Sequence, residues 1–173
     1  GTNDMYDSPD DNPEVFKFSY KRLYPVSREE INDGVLFDFG REIMGKLVFS
    51  DIKSEGKKVP VFYGESREEA LDTAYTEVTD VAVLSGKETL LRSRACRYVF
   101  LEDSCNDFSV AYDFEYLPIA PEGKFKCDDE LVNKIWNISA YTLELNSREA
   151  FFDGIKRDRW IWSGDAYQSY FVN

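Results

Sequence analysis

Histidine is absent from the 173-residue sequence, and that absence removes more chemistry than most motifs add. Imidazole is the commonest metal ligand and the commonest general base near neutral pH, so a Ser-His or Cys-His nucleophile is excluded within the chain. Cysteine is scarce. Cys96, Cys105 and Cys127 have spacings that match neither a zinc pattern nor a dense disulfide framework, and free, mostly buried thiols are expected. Neither a metal nor a cofactor is expected. Positive charge is also in deficit, with 21 Lys and Arg against 33 Asp and Glu and a net charge of −12. A duplex-binding surface needs a Lys/Arg footprint, so nucleic acid is not an expected partner. No run of about 18 apolar residues occurs, so no helical membrane span is expected and no membrane partner. Cysteine usage leaves the compartment open, with a periplasmic or secreted location favoured over the cytoplasm.

What is present is a ring-rich, β-compatible composition: 43% hydrophobic and 16% aromatic residues, with 13 Phe and 11 Tyr. Such a chain can build a real core from packed sheets. An acidic leader, Asp4, Asp7, Asp10 and Asp11 around Pro9, reads as a linker over residues 1–12. Strand-like stretches follow at Val15–Tyr20, Val35–Phe39, Gly45–Ile52, Val59–Tyr63, Glu77–Leu84, Arg97–Glu102 and Phe108–Tyr116. Short strands at this spacing, broken by Gly, Asn and Ser turns, predict an antiparallel β-sandwich over residues 13–118. Glu68–Leu71 reads as one helical turn, and Glu65, Glu68 and Glu69 as a solvated turn instead of a second acidic site.

Leu117–Gly123 holds two prolines and a glycine, and the hydrophobic period changes after it. A new domain is expected over 119–173. Asp128 is a plausible N-cap, and Leu131, Val132, Ile135, Trp136, Ser139 and Leu143 repeat at helical spacing, which predicts a helix from about 129 to 149. The sequon Asn137-Ile-Ser139 falls inside it and reads as coincidence. The chain opens on Gly1 without an initiator Met. It closes at Asp165–Asn173 on the first turns of an amphipathic helix with no stop signal, so a truncated piece of a larger acidic enzyme is expected.

Chemistry, if the chain carries any, concentrates in Phe151–Asp165. Asp153, Asp158 and Asp165 are interleaved there with Lys156, Arg157, Arg159, Trp160 and Trp162. Carboxylic acids protonate leaving groups or stabilise developing positive charge, and an indole face suits the apolar face of a sugar, which together are parts of glycoside hydrolysis. Ordinary surface ion pairs over two packed tryptophans would produce the same composition, and the Asp spacing does not fit a calcium loop.

This segment resembles the opening of the catalytic domain of α-L-rhamnosidases and related glycoside hydrolases, in which an Asp is followed by Arg, an acid, Trp, Gly and Asp. Here those are Asp153, Arg157, Asp158, Trp162, Gly164 and Asp165. Upstream, Phe37–Glu42, Gly45–Leu47, Tyr63–Ser66, Arg97–Val99 and Gly123–Trp136 are similar to the same family's sandwich and first helix. The resemblance implies a mainly β chain, with an antiparallel β-sandwich followed by the first helices of a truncated (α/α)6 barrel. It implies cleavage of terminal α-L-rhamnose with inversion, Asp158 standing at the general acid and Asp153, Arg157, Trp162 and Asp165 at sugar-binding positions. The family usually has Glu where Asp158 stands, a side chain shorter by about 1.5 Å. The implied partners are a carbohydrate with a terminal rhamnose-type sugar and the remainder of the same catalytic domain, which would supply the general base.

Overall fold

The computed structural model describes residues 17–118, 123–156 and 159–172. The acidic leader lies outside the described residues, as does part of the stretch read as a domain boundary. The chain divides into two compact units: Tyr20–Glu115, and the residues that flank it on both sides. Among the described residues no helix is long and apolar enough to cross a membrane.

The first unit is mainly antiparallel β. Its strands are β1 (Ser19–Leu23), β2 (Ser27–Ile31), β3 (Gly34–Ser50), β4 (Lys58–Gly64), β5 (Val78–Val83), β6 (Glu88–Leu101) and β7 (Ser109–Tyr116). All belong to one hydrogen-bonded network, in the order β1-β7-β3-β6-β4-β5, with β2 on β3. Two long strands, β3 and β6, run through both halves of it. Residues 34–38 of β3 lie between β2 and the end of β6, whereas residues 45–50 lie between β7 and the start of β6. The register slips between Asp38 and Ile43. A bulge of this kind bends and twists a strand, which lets one strand serve two leaves.

Gly40 sits at that slip with φ +82°, a backbone region that L side chains rarely adopt. Asp38 braces it: its Oδ1 accepts from the Gly40 N–H at 2.6 Å, and the carboxylate takes the Arg97 guanidinium at 2.9 and 3.0 Å. The Asp-Phe-Gly triplet is therefore a structural device for the bulge. Sequence alone reads β3 as two strands because the glycine and the charged pair Arg41-Glu42 interrupt the apolar pattern; the bulge carries the strand through.

Alternation along the strands fills the interior. Val35, Phe37, Val61, Tyr63, Val99 and Leu101 are buried on one face of their leaf, and cross-strand pairing sets them side by side. Leu36 and Phe100, paired on the opposite face, form a second small core with Ala70, against which Phe62 packs. Ala70 belongs to α1 (Arg67–Leu71), a single turn whose Ser66 N-cap accepts from the Glu69 N–H at 3.1 Å, while Glu69 Oε2 accepts from the Glu65 N–H at 2.9 Å. The Glu69 carboxylate thus serves a capping arrangement. Tyr112 of β7 is fully buried; its hydroxyl donates to the Arg94 carbonyl at 2.7 Å, and its ring meets Phe39 edge-on at 5.2 Å. Cys96, Cys105 and Cys127 are all free thiols, the first two buried.

Candidate active site

The second unit begins with a helix whose start is built from side-chain bonds. α2 spans Glu130–Asn146 and is capped by Asp129, whose Oδ1 accepts from the Leu131 and Val132 N–H groups at 2.8 and 3.3 Å. Asn133 hooks the preceding chain, accepting from the Cys127 N–H at 2.9 Å and donating to the Cys127 carbonyl at 2.8 Å. The N-cap is thus one residue later than Asp128. Both aspartates suit the position, and the Asn133 hook sets which of them caps. Leu131, Val132, Ile135, Trp136 and Ile138 are exposed, and Leu145 is the buried residue of the helix.

α2 stops at Asn146, short of residue 149, because Ser147 turns its hydroxyl back onto the Leu143 carbonyl at 2.7 Å. The chain then reverses, pairing Ser147 with Phe151, and the Phe152 N–H donates to the Asn146 carbonyl at 3.0 Å. Arg148 leaves the helix and becomes buried, its guanidinium 4.2 Å from the centroid of the Phe18 ring. A cation so placed gains from the ring's negative face. Nothing in the local pattern Ser147-Arg148-Glu149 signals this role, which only the returning N-terminal segment creates.

This reversal delivers the chain to Asp153, where the bonds converge. Asp153 Oδ1 accepts from the N–H groups of Gly154 at 2.8 Å and Trp160 at 3.0 Å, and Oδ2 accepts from the indole Nε1–H of Trp162 at 3.1 Å. The Asp153 N–H donates to the Trp160 carbonyl at 3.2 Å, so the two ends of the loop are tied twice. Arg159, in a left-handed conformation at φ 50°, reaches back to the Ile155 carbonyl at 2.8 Å. The Trp160 N–H above all, helped by Gly154 and the indole, holds the Asp153 carboxyl below the usual carboxylate range against the opposing effect of desolvation.

Of the residues singled out from sequence, the structure brings Asp153 and Trp162 together. Arg157 and Asp158 lie outside the described residues. Asp165 stands exposed in the first turn of α3 (Ser163–Val172). Trp160 and Trp162 are 62% and 54% exposed in this chain. Trp162 thus holds an open indole face beside the Asp153 carboxylate, of a kind able to cover an apolar ring face.

Comparison with known proteins places the chain in a family. The family model described as "Alpha-rhamnosidase-like, bacteroidetes, N-terminal" matches residues 2–101, more than half of the sequence, and the chain belongs to that family. The fold recurs in solved structures. A rhamnosidase from Klebsiella oxytoca with rhamnose bound superposes with a TM-score of 0.73 at 19% identity, over 93% of this chain and 42% of that one. The GH78 family rhamnosidase of Bacillus sp. GL1 gives 0.64 at 20% identity, over 84% of this chain and 17% of that one. The Streptomyces avermitilis α-L-rhamnosidase complexed with L-rhamnose gives 0.66 at 17% identity, over 83% and 16% respectively. This chain therefore spans less than half the length of each of these three proteins. No curated protein matches.

Proposed function

We propose that this chain is part of a glycoside hydrolase that removes terminal α-L-rhamnose, or a closely related sugar, from glycans or glycosides. Residues 13–118 act as the β-sandwich domain, 1–12 as its leader, and 119–173 as the opening of an (α/α)6 catalytic domain. The reading is supported by family membership over residues 2–101, together with the resemblance of the ordered series from Asp153 to Asp165 to the catalytic opening of α-L-rhamnosidases.

In this reading Asp158 protonates the departing glycosidic oxygen, and a second carboxylate from sequence beyond residue 173 activates water on the opposite face. The two carboxylates stand about 6.5–9.5 Å apart, as inversion requires. Asp153, Arg157 and Asp165 bind the sugar, and Trp162 forms a wall against its ring. The 173 residues alone, lacking the water-activating partner, do not turn over substrate. One feature favours a second reading, a non-catalytic carbohydrate-binding or structural module: Asp158 is shorter than the family's Glu and is flanked by Arg157 and Arg159. Neighbouring cations hold an acid ionised and oppose proton donation.

A single assay separates the two. The full-length protein is tested on aryl α-L-rhamnosides beside its Asp158→Asn variant, with sugar binding measured in parallel. The hydrolase reading expects turnover that falls by about a hundredfold or more in the variant, the range that a general acid contributes. Absence of rhamnoside hydrolysis, with sugar binding the same in both proteins, supports the binding module instead.

A further inference from the structure

We infer that Phe18 and Arg148 form a clamp that seats the chain reversal between α2 and the loop beginning at Asp153, and that both are positioning residues for that loop. This deepens the proposed function, and rests on it for the effect on catalysis but not for the clamp itself.

Three observations carry the inference. The first is that the hydrogen bonds of the reversal are local: the Ser147 hydroxyl and N–H donate to the Leu143 carbonyl, the Arg148 N–H to that of Ala150, and the Phe152 N–H to that of Asn146. They fix its shape, so its place depends on what its side chains bury. The second is that Arg148 is the buried residue between Asn146 and Gly154, 6% exposed, with its guanidinium 4.2 Å from the centroid of the Phe18 ring. A buried cation is costly unless it is matched, and a planar guanidinium over an aromatic face is matched in a way that a lysine ammonium is not. Phe18 comes from the residues directly ahead of β1, so the hold on the reversal is supplied by sequence far from it. The third is that the lever is short. Asp153 follows five residues after Arg148, and its loop is closed by the Asp153 N–H to the Trp160 carbonyl at 3.2 Å and the Trp160 N–H to Asp153 Oδ1 at 3.0 Å. A reversal that shifts therefore carries both ends of the loop with it, and a displacement of about 1 Å in groups that bind or react can cost on the order of a hundredfold in rate.

Substitutions separate the ring face from bulk and charge. Phe18→Tyr keeps the aromatic face, Phe18→Leu keeps apolar bulk without it, and Arg148→Lys keeps the charge without the plane. Hydrogen exchange of the full-length protein, read by mass spectrometry, should quicken by about tenfold or more in peptides covering 147–153 and 159–162 in Phe18→Leu and Arg148→Lys. Phe18→Tyr should match the wild type there, and β4 and β5 should be unchanged in all three. Wild-type exchange over 147–153 in Phe18→Leu overturns the inference. So does a quickening that spreads equally to β4 and β5, which is general destabilisation. Should Arg148→Lys fail to fold, the pair Phe18→Leu and Phe18→Tyr carries the same test.

Kinetics on an aryl α-L-rhamnoside add a readout that a merely structural role would not move. The loop holds both the proposed acid and the proposed sugar-binding residues, so its displacement should raise KM and lower kcat together, with kcat/KM down on the order of tenfold to a hundredfold in Phe18→Leu. Loss of folded protein alone would lower the apparent kcat at unchanged KM, and that result, or wild-type kinetics, overturns the positioning role. The Phe18→Leu/Arg148→Lys double variant should fall no further than the worse single variant, whereas losses that multiply would mean that the two side chains act separately. Absence of rhamnoside hydrolysis in the wild type defeats the proposed function, and the exchange pattern then decides the clamp by itself.

Discussion

Replacing Asp38 by asparagine tests whether the bulge that lets β3 serve both leaves is held by charge. The carboxylate receives Arg97 Nε and Nη2 at 2.9 and 3.0 Å and the Gly40 N–H at 2.6 Å. Side-chain exposure is 16% for Asp38 and 39% for Arg97, which puts the pair between buried and solvent-screened regimes. Hydrogen bonds to charged groups contribute about 1.5–3 kcal/mol and exposed pairs about 0–1, so a loss of about 1.5 kcal/mol is expected once screening at Arg97 is allowed for. With a urea slope of about 1–3 kcal/mol per molar, the unfolding midpoint should fall by roughly 0.5–1.5 M near neutral pH. The Arg97 hydrogen bonds, with smaller help from Gly40, lower the Asp38 carboxyl below its ordinary 3.8. A depressed folded-state pKa stabilises above the unfolded value, and the gain disappears as pH falls through the folded value. The gap between wild type and Asp38→Asn should therefore be full near neutrality and shrink below about pH 4. A midpoint shift under about 0.2 M at neutral pH, or a gap undiminished in acid, would refute the reasoning.

Three further outcomes can be checked on the same protein. Leu47 is fully buried, and Leu47→Ala should cost about 2–5 kcal/mol by urea unfolding; a cost under about 1 kcal/mol would mean that the side chain is not packed as described. A Cβ at Gly34 would lie 2.4 Å from the Phe100 ring and 2.5 Å from the Leu101 carbonyl oxygen, so Gly34→Ala should lower the melting temperature by the equivalent of about 1–3 kcal/mol or more. Burial pushes the Cys105 thiol up to about 12, and Cys96 is likewise buried, whereas Cys127 is partly exposed. Native alkylation near pH 8 should therefore label Cys127 first, with the other two reacting only in denaturant, as read by mass spectrometry; early labelling of Cys105 would contradict its placement.

Much of the architecture could be read from one chain of letters because alternation is a local signal. Val59–Tyr63, Glu77–Leu84 and Phe108–Tyr116 lie within a residue or so of β4, β5 and β7, since each alternates or runs apolar between turn residues. By contrast, β2 is Ser27-Arg-Glu-Glu-Ile31, exposed along most of its length, and no apolar pattern announces it. Its strand identity comes from pairing with Val35–Asp38, through a turn in which Asn32 takes a left-handed φ of 52°. The early half of β6, where Arg92 and Arg94 both reach Asp80 of β5, is hidden for the same reason: its charged residues break the apolar pattern, and its strand identity comes from pairing with β3. In the site loop, the types and order of Asp153, Trp162 and Asp165 were legible, while the convergence of three donors on Asp153 was not.

The sequence by itself determined the class of this protein: an acidic, histidine-free, ring-rich β chain carrying an α-rhamnosidase-like series of residues. Periodicity and residue type are properties of short segments, so they survive without coordinates. Only the tertiary structure decided that β3 and β6 bridge two leaves, that Arg148 is drawn in beneath Phe18, and that the Asp153 carboxylate faces its own loop. Those outcomes depend on groups far apart in sequence or on the direction of a single hydrogen bond, and neither is encoded in local pattern.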